Sequence, residues 1–151
     1  MRVPFDSLCL AAVAAESQVL VGGRVQRVIQ RGPLEVEIGV YCGQELFLFV
    51  TADAQYARAH LLTRRREGPK EPPGFCMALR KAIMDARVEF VRQRGLDRIL
   101  EVGFRGKDSV FVLVAELMGK HSNIVLVDAD GKVYVAIKVV GKSKSKRPIL
   151  P

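Results

Sequence analysis

Leu34-Glu35-Val36-Glu37-Ile38-Gly39-Val40-Tyr41-Cys42-Gly43-Gln44-Glu45-Leu46-Phe47-Leu48-Phe49-Val50-Thr51 decides the fold class. Leu34, Val36, Ile38 and Val40 alternate with Glu35 and Glu37. A period of two marks a strand with one buried face and one wet face. Gly43-Gln44 then turns the chain onto a second apolar run, Glu45 to Thr51. Strands joined by so short a turn pair antiparallel, because a parallel pair needs a long crossover. The same arrangement returns near the end of the chain. There Asn123 to Val127 and Lys132 to Val140 flank Asp128-Ala129-Asp130-Gly131, a hairpin signal.

Toward the N-terminus, Arg31-Gly32-Pro33 separates the first hairpin from another strand, Arg24 to Gln30. Gly22-Gly23 precedes it and stops a helix expected over Ser7 to Gln18. Asp6 and Ser7 read as that helix's N-cap, whose side-chain oxygen accepts an orphan backbone N–H. Leu8 to Ala15 is apolar enough to imitate a signal peptide, but Asp6 stands before it and Arg2 is the sole flanking cation. A cytosolic helix is the expectation.

Toward the C-terminus, Arg58 to Leu62 is a short strand. Thr63 to Gly74 holds Arg64, Arg65 and Arg66, then Gly68, Pro69, Pro72 and Pro73. That density of Pro and Gly suits neither helix nor sheet, so an exposed loop is expected. In Phe75 to Asp85 an apolar stripe of Phe75, Leu79 and Ile83 has helical spacing, with Arg80 and Lys81 on the other faces. Arg87 to Gln93, Asp97 to Phe104 and Ser109 to Leu117 read as three more strands. The last is nearly all apolar and should be covered on both faces. No internal repeat is visible. Strands therefore cluster instead of alternating with helices, which makes the fold α+β: an antiparallel β-sandwich or barrel carrying two helices.

The chain's 151 residues, 49% of them hydrophobic, suit one domain with a true core and exclude a largely disordered chain. No apolar run approaches the roughly 20 residues of a membrane-spanning helix. Cys9, Cys42 and Cys76 are odd in number and widely spaced, which disfavours a disulfide framework and fits a reducing cytosol. Neither these nor His60 and His121 form a metal-ligand pattern. The net charge is +8. Half of it lies in Lys142, Lys144, Lys146 and Arg147 of the tail, which carries no acid. Arg58, Arg64, Arg65, Arg66 and Lys70, set against Glu67, account for the other half. Such excess favours anionic partners: nucleic acid, ribosome or membrane surface.

No nucleophile triad, glycine-rich phosphate loop or metal motif is present. His121-Ser122-Asn123 follows Gly119-Lys120 in an expected strand-to-strand turn, where small polar residues serve the backbone. Gly95-Leu96-Asp97-Arg98 opens a strand and admits two readings. One is a surface ion pair worth about 0–1 kcal/mol. The other is a binding pair. Arg98 offers a planar donor fork for a phosphate or base edge, and Asp97 orients that fork or accepts from a base amino group. Inside a regular strand the two would point to opposite faces, so joint action requires them to sit where Gly95 permits a bend.

Six blocks occur in one order. They are Pro4 to Leu8, Val21 to Val25, Arg58 to Leu62, Pro72 to Lys81, Gly95 to Leu100 and Glu116 to Asn123. Together they resemble the N-terminal NFACT domain of the RqcH/NEMF family, historically called fibronectin-binding protein A-like. The resemblance covers residues 3 to 140, so 1–140 is expected to be this domain. Residues 141–151 are expected to be a basic linker or the start of a truncated downstream region. The resemblance implies a cytoplasmic ribosome quality control factor. It implies binding to tRNA (alanyl-tRNA in bacterial members) and to the large ribosomal subunit obstructed by peptidyl-tRNA. It also implies support of C-terminal alanine tailing. The family's Asp–Arg pair matches Asp97 and Arg98, and its early acidic position matches Asp6. Arg64, Arg65, Arg66, Arg80, Lys81 and Lys120 are candidate phosphate contacts. No cofactor or metal is implied.

The fold so implied is also similar to the N-terminal domain of formamidopyrimidine-DNA glycosylases, which raises an enzymatic alternative. Pro4, however, follows Met1-Arg2-Val3, and an acylated proline nitrogen is not nucleophilic. No catalytic residue is expected. A surface adhesin that binds fibronectin is the third reading; missing export signals and disulfides count against it.

Overall fold

In a computed structural model that describes residues 7–53, 57–63, 74–95, 97–118 and 121–138, the expected elements form with changes at their ends, the largest in the last strand, expected over Lys132 to Val140 and found over Val133–Ala136. Helix α1 spans Ser7–Glu16 and tightens into a 3-10 turn at Ser17–Leu20, earlier than the expected end at Gln18. Gln18 helps to fasten this turn: its side-chain amide donates to the Ala14 carbonyl at 2.9 Å and to the Val91 carbonyl at 2.5 Å. Strands β1 (Arg24–Ile29), β2 (Glu35–Tyr41), β3 (Glu45–Thr51) and β4 (Arg58–Leu62) precede helix α2 (Gly74–Ile83). Strands β5 (Arg87–Gln93), β6 (Ile99–Arg105), β7 (Val110–Glu116), β8 (Asn123–Asp128) and β9 (Val133–Ala136) follow it. Asp6, the proposed cap, lies outside the described residues.

The strands form one antiparallel sheet in the order β4-β3-β2-β1-β5-β6-β7-β8-β9. One seam differs from the rest. β1 and β5 share a single Cα pair, Arg24 with Arg87, held by Val25 N–H to Ala86 C=O and Val88 N–H to Gly23 C=O, both at 2.9 Å. The sheet folds over at this narrow seam into a four-stranded and a five-stranded half. Val36, Ile38 and Leu48 of one half and Val102, Leu113 and Leu126 of the other share one buried cluster. Helix α1 reaches from edge strand β4 to β5 and β6, and α2 reaches from β1 to edge strand β9. Leu10, Leu79 and Ile83 add their fully buried side chains to the same core. Both sheet edges thus lie against a helix, which limits unwanted strand pairing. The result is an α+β sandwich with two helices.

The halves share a plan that the sequence does not betray. Each starts with a helix and a bulged strand, the irregularity falling at Val25/Arg27 in β1 and at Val88/Phe90 in β5. In each, a glycine of the next strand lies under an aromatic ring: Gly39 under Phe47, Gly103 under Phe90. Strand β7 is covered on both faces only in its second half, Leu113 to Glu116, while Val110, Phe111 and Val112 stay half-buried. Leu113 and Ala115 enter the main core, while Val114 joins Ile99, Val125 and Val127 in a second buried cluster.

Candidate nucleic-acid interface

Arg94, Gly95, Asp97 and Arg98 lie at the tip of the β5–β6 hairpin, and here the structure departs from the expected strand start. β6 begins at Ile99 and not at Asp97. Gly95 adopts a φ of +55°, a conformation that L side chains rarely reach, and this lets the chain reverse. The Asp97 N–H then donates to the Arg94 carbonyl at 3.0 Å, closing a turn before the ladder starts. Two further bonds fix the pair's backbone. The Gln93 side-chain amide donates to the Asp97 carbonyl at 2.8 Å, and the Leu117 N–H donates to the Arg98 carbonyl at 2.9 Å. Asp97 is exposed and Arg98 half-buried. Their side chains do not pair with each other, nor with any other described residue. The ion-pair reading therefore lacks its contact. The backbone is held while the carboxylate and the guanidinium keep their bonding capacity, so a ligand would meet little ordering cost at the backbone.

A charged network lies behind the tip. Arg92 Nε donates to Glu101 Oε1 at 2.8 Å, and Arg94 Nε to Oε2 at 3.1 Å, with Arg94 Nη2 on the same oxygen. Glu101 is 4% exposed. Burial pushes its carboxyl up, but the hydrogen bonds and charges of Arg94 and Arg92 outweigh it and hold the group below its usual range. Arg92 also lies 4.3 Å above the Phe90 ring. Two guanidinium groups share one carboxylate, so the base of the hairpin tip keeps positive charge. Sequence reading missed this network. Arg92 and Glu101 become neighbours only through the β5–β6 register, which pairs their Cα atoms.

The Leu117 bond sets this residue, the one that follows β7, alongside Arg98, so two separate sequence blocks meet at one end of the sheet. Asn123, the first residue of β8, serves the backbone. Its Oδ1 accepts from the Ile124 N–H at 2.8 Å and the Lys138 N–H at 3.0 Å, which pins the chain just beyond β9. His121 is exposed, and Ser122 Oγ is buried without a hydrogen-bond partner among the described residues.

The remaining candidates divide. Arg64, Arg65, Arg66, Lys120 and Asp6 lie outside the described residues. Arg80 and Lys81 sit on α2, a different element from the hairpin tip. Arg80 Nε donates to the Val28 carbonyl at 3.0 Å, and Cys76 Sγ contacts the same oxygen at 3.3 Å. Burial raises the Cys76 thiol, and the Arg80 charge opposes that rise without cancelling it. Arg80 thus helps to anchor α2 to β1, whereas Lys81 is exposed. No helix among the described residues is long and apolar enough to cross a membrane.

Comparison with known proteins gives a consistent picture. Residues 6–151 match the family described as NFACT N-terminal and middle domains. The chain is 38% identical to the Rqc2 homolog RqcH of Streptococcus suis (strain 05ZYH33), across 97% of this chain and 28% of that protein. It is 30% identical to the ribosome quality control complex subunit NEMF homolog of Drosophila melanogaster, across 85% of this chain and 13% of that protein. The chain therefore spans less than a third of these relatives' lengths. The crystal structure of the N-terminal domain of fibronectin-binding protein PavA from Streptococcus pneumoniae superposes with a TM-score of 0.89 at 34% identity. That match covers 98% of this chain and 59% of the other.

Proposed function

The chain belongs to the family of NFACT N-terminal and middle domains, and from that membership we propose that it is the RNA-binding N-terminal module of a ribosome quality control factor. In this reading it engages tRNA, alanyl-tRNA in particular, and the obstructed large ribosomal subunit. It thereby supports alanine tailing of stalled nascent chains in the cytoplasm. It works by positioning and not by chemistry.

The observation that carries the reading is the hairpin tip. Asp97 and Arg98 are clamped by their backbones, carry no side-chain partner among the described residues, and precede the regular strand. They are therefore free of the strict alternation that would send them to opposite faces. Arg98 supplies a planar fork for a phosphate or a guanine edge, and Asp97 an acceptor for a base amino group. Arg92 and Arg94 contribute a positive background that attracts the RNA backbone.

The test measures labelled tRNA binding and melting temperature on the same preparations. Arg98→Ala is expected to melt near the wild type and to bind tRNA at least about fivefold more weakly, the lower end of what one bidentate contact contributes. Arg98→Lys should recover only part of that deficit, because an ammonium cannot reproduce the fork. Asp97→Asn keeps the shape and asks whether the acid must be ionised. Undiminished binding by Arg98→Ala overturns the reading.

The name of the pneumococcal structure favours a second reading, an adhesin that binds fibronectin. Immobilised fibronectin separates the two: saturable capture of the chain that tRNA does not compete would favour the adhesin.

A further inference from the structure

At the narrow seam between the two halves, Arg24, Arg87 and Arg105 stand side by side. Their Cα atoms are successive partners across β1, β5 and β6. Residues directly opposite in a sheet share a face, so three guanidinium side chains project together, and all three are exposed. Like charges placed opposite one another destabilise a sheet. Neighbouring acids do not remove that cost. Arg105 donates to Glu89 at 2.5 Å, but Arg24 and Arg87 form no ion pair among the described residues. These three arginines line a cleft of about 390 Å³ with Met84, Asp85, Gly106 and Lys107. Asp85 is the one acid in that lining, against four cations. It holds a left-handed φ of 68° at the turn that delivers the chain to β5.

We infer that this cleft is a second phosphate-binding site that takes the backbone of the RNA engaged by the hairpin tip. The inference rests on the RNA-binding reading and extends it. Arginine forks match the paired oxygens of a phosphodiester, and neighbouring strands set them about 4.8 Å apart. The cleft is large enough to admit one such group with its sugar. Its position is also suitable. Arg105 ends β6, and Arg98 immediately precedes it. Roughly six to seven residues of strand place the two sites roughly 20 Å apart at opposite ends of one hairpin. At about 3.4 Å of rise per charge on one strand, that distance spans roughly six nucleotides. The hairpin thus offers a fork at its tip and a phosphate cradle at its root.

The test uses the 151-residue chain with fluorescently labelled tRNA, titrated with salt. Labelled polyglutamate is the parallel probe. The Arg24→Ala/Arg87→Ala variant should lower the log–log salt slope by about 0.7 for each phosphate that is no longer neutralised. Its melting temperature should hold or rise, because a like-charge pair is removed. Arg24→Lys/Arg87→Lys keeps the charge; it should retain most of the slope while binding more weakly. It also guards against a fold defect in the alanine variant. Wild-type binding to tRNA with an unchanged slope in the alanine variant overturns this inference and leaves the proposed function standing. No tRNA binding by the wild type overturns both. Polyglutamate binding as tight as tRNA binding, abolished in the alanine variant, reassigns the cleft to an acidic protein partner and overturns the RNA assignment.

Discussion

Glu101 shows how one residue can support a site it does not touch. Its side chain is almost fully buried, yet it ties together Arg92 and Arg94 at the base of the hairpin tip. Its folded-state pKa is depressed below the ordinary 4.5. A depressed carboxyl stabilises the fold fully above its unfolded value, and that contribution disappears as pH falls through the lower folded value. Glu101→Gln should therefore cost about 1.5–3 kcal/mol at neutral pH, the range for charged hydrogen bonds. The gap between wild type and variant should narrow only below about pH 4.5, as the carboxyl protonates. Chemical denaturation across pH checks this. A gap that stays constant into strong acid would show that the carboxyl's charge is not what matters. Arg80 makes the opposite point. Sequence reading offers it as a phosphate contact, whereas its Nε bond to the Val28 carbonyl gives it work inside the fold.

Individual elements carry their own constraints. In β6, Gly103 sits opposite Phe90, and a Cβ added there would collide with the ring. Gly103→Ala should cost about 1–3 kcal/mol, as overpacked sites do. The cost should largely vanish in a Phe90→Ala background, because the colliding ring is gone. A double-mutant cycle read by denaturant unfolding measures that coupling. Equal costs in both backgrounds would place the strain in the strand backbone instead. Helix α2 is held by its apolar stripe. Leu79 is fully buried among residues of the sheet, so Leu79→Ala should cost about 2–5 kcal/mol in the same denaturant measurement. The stripe was readable in advance, since helical spacing of Phe75, Leu79 and Ile83 is a local property of the chain.

At the scale of the whole molecule, one core crosses a seam of a single residue pair. Neither half retains its inward face without the other, so thermal unfolding should be a single transition with matching calorimetric and van't Hoff enthalpies. Two resolved transitions would mean that the halves fold independently. The positioning role predicts that borohydride traps no covalent adduct between this chain and oxidised or abasic DNA; a trapped adduct would restore the enzymatic reading. By itself the sequence determined the element types, the antiparallel pairing, the α+β class and the bend at Gly95, but it placed Asp97 and Arg98 in the strand that starts only at Ile99. Each rests on periodicity, turn chemistry or contiguous residues, which short-range sterics and hydrophobic burial make legible. The tertiary structure alone decided that the sheet folds at Arg24 and Arg87, that Arg98 lies beside Leu117, and that Glu101 gathers two arginines. It also decided that Arg24, Arg87 and Arg105 line one cleft. Those relations depend on strand register and order. Register comes from how both halves bury their apolar faces at once, and no local stretch of sequence contains that information.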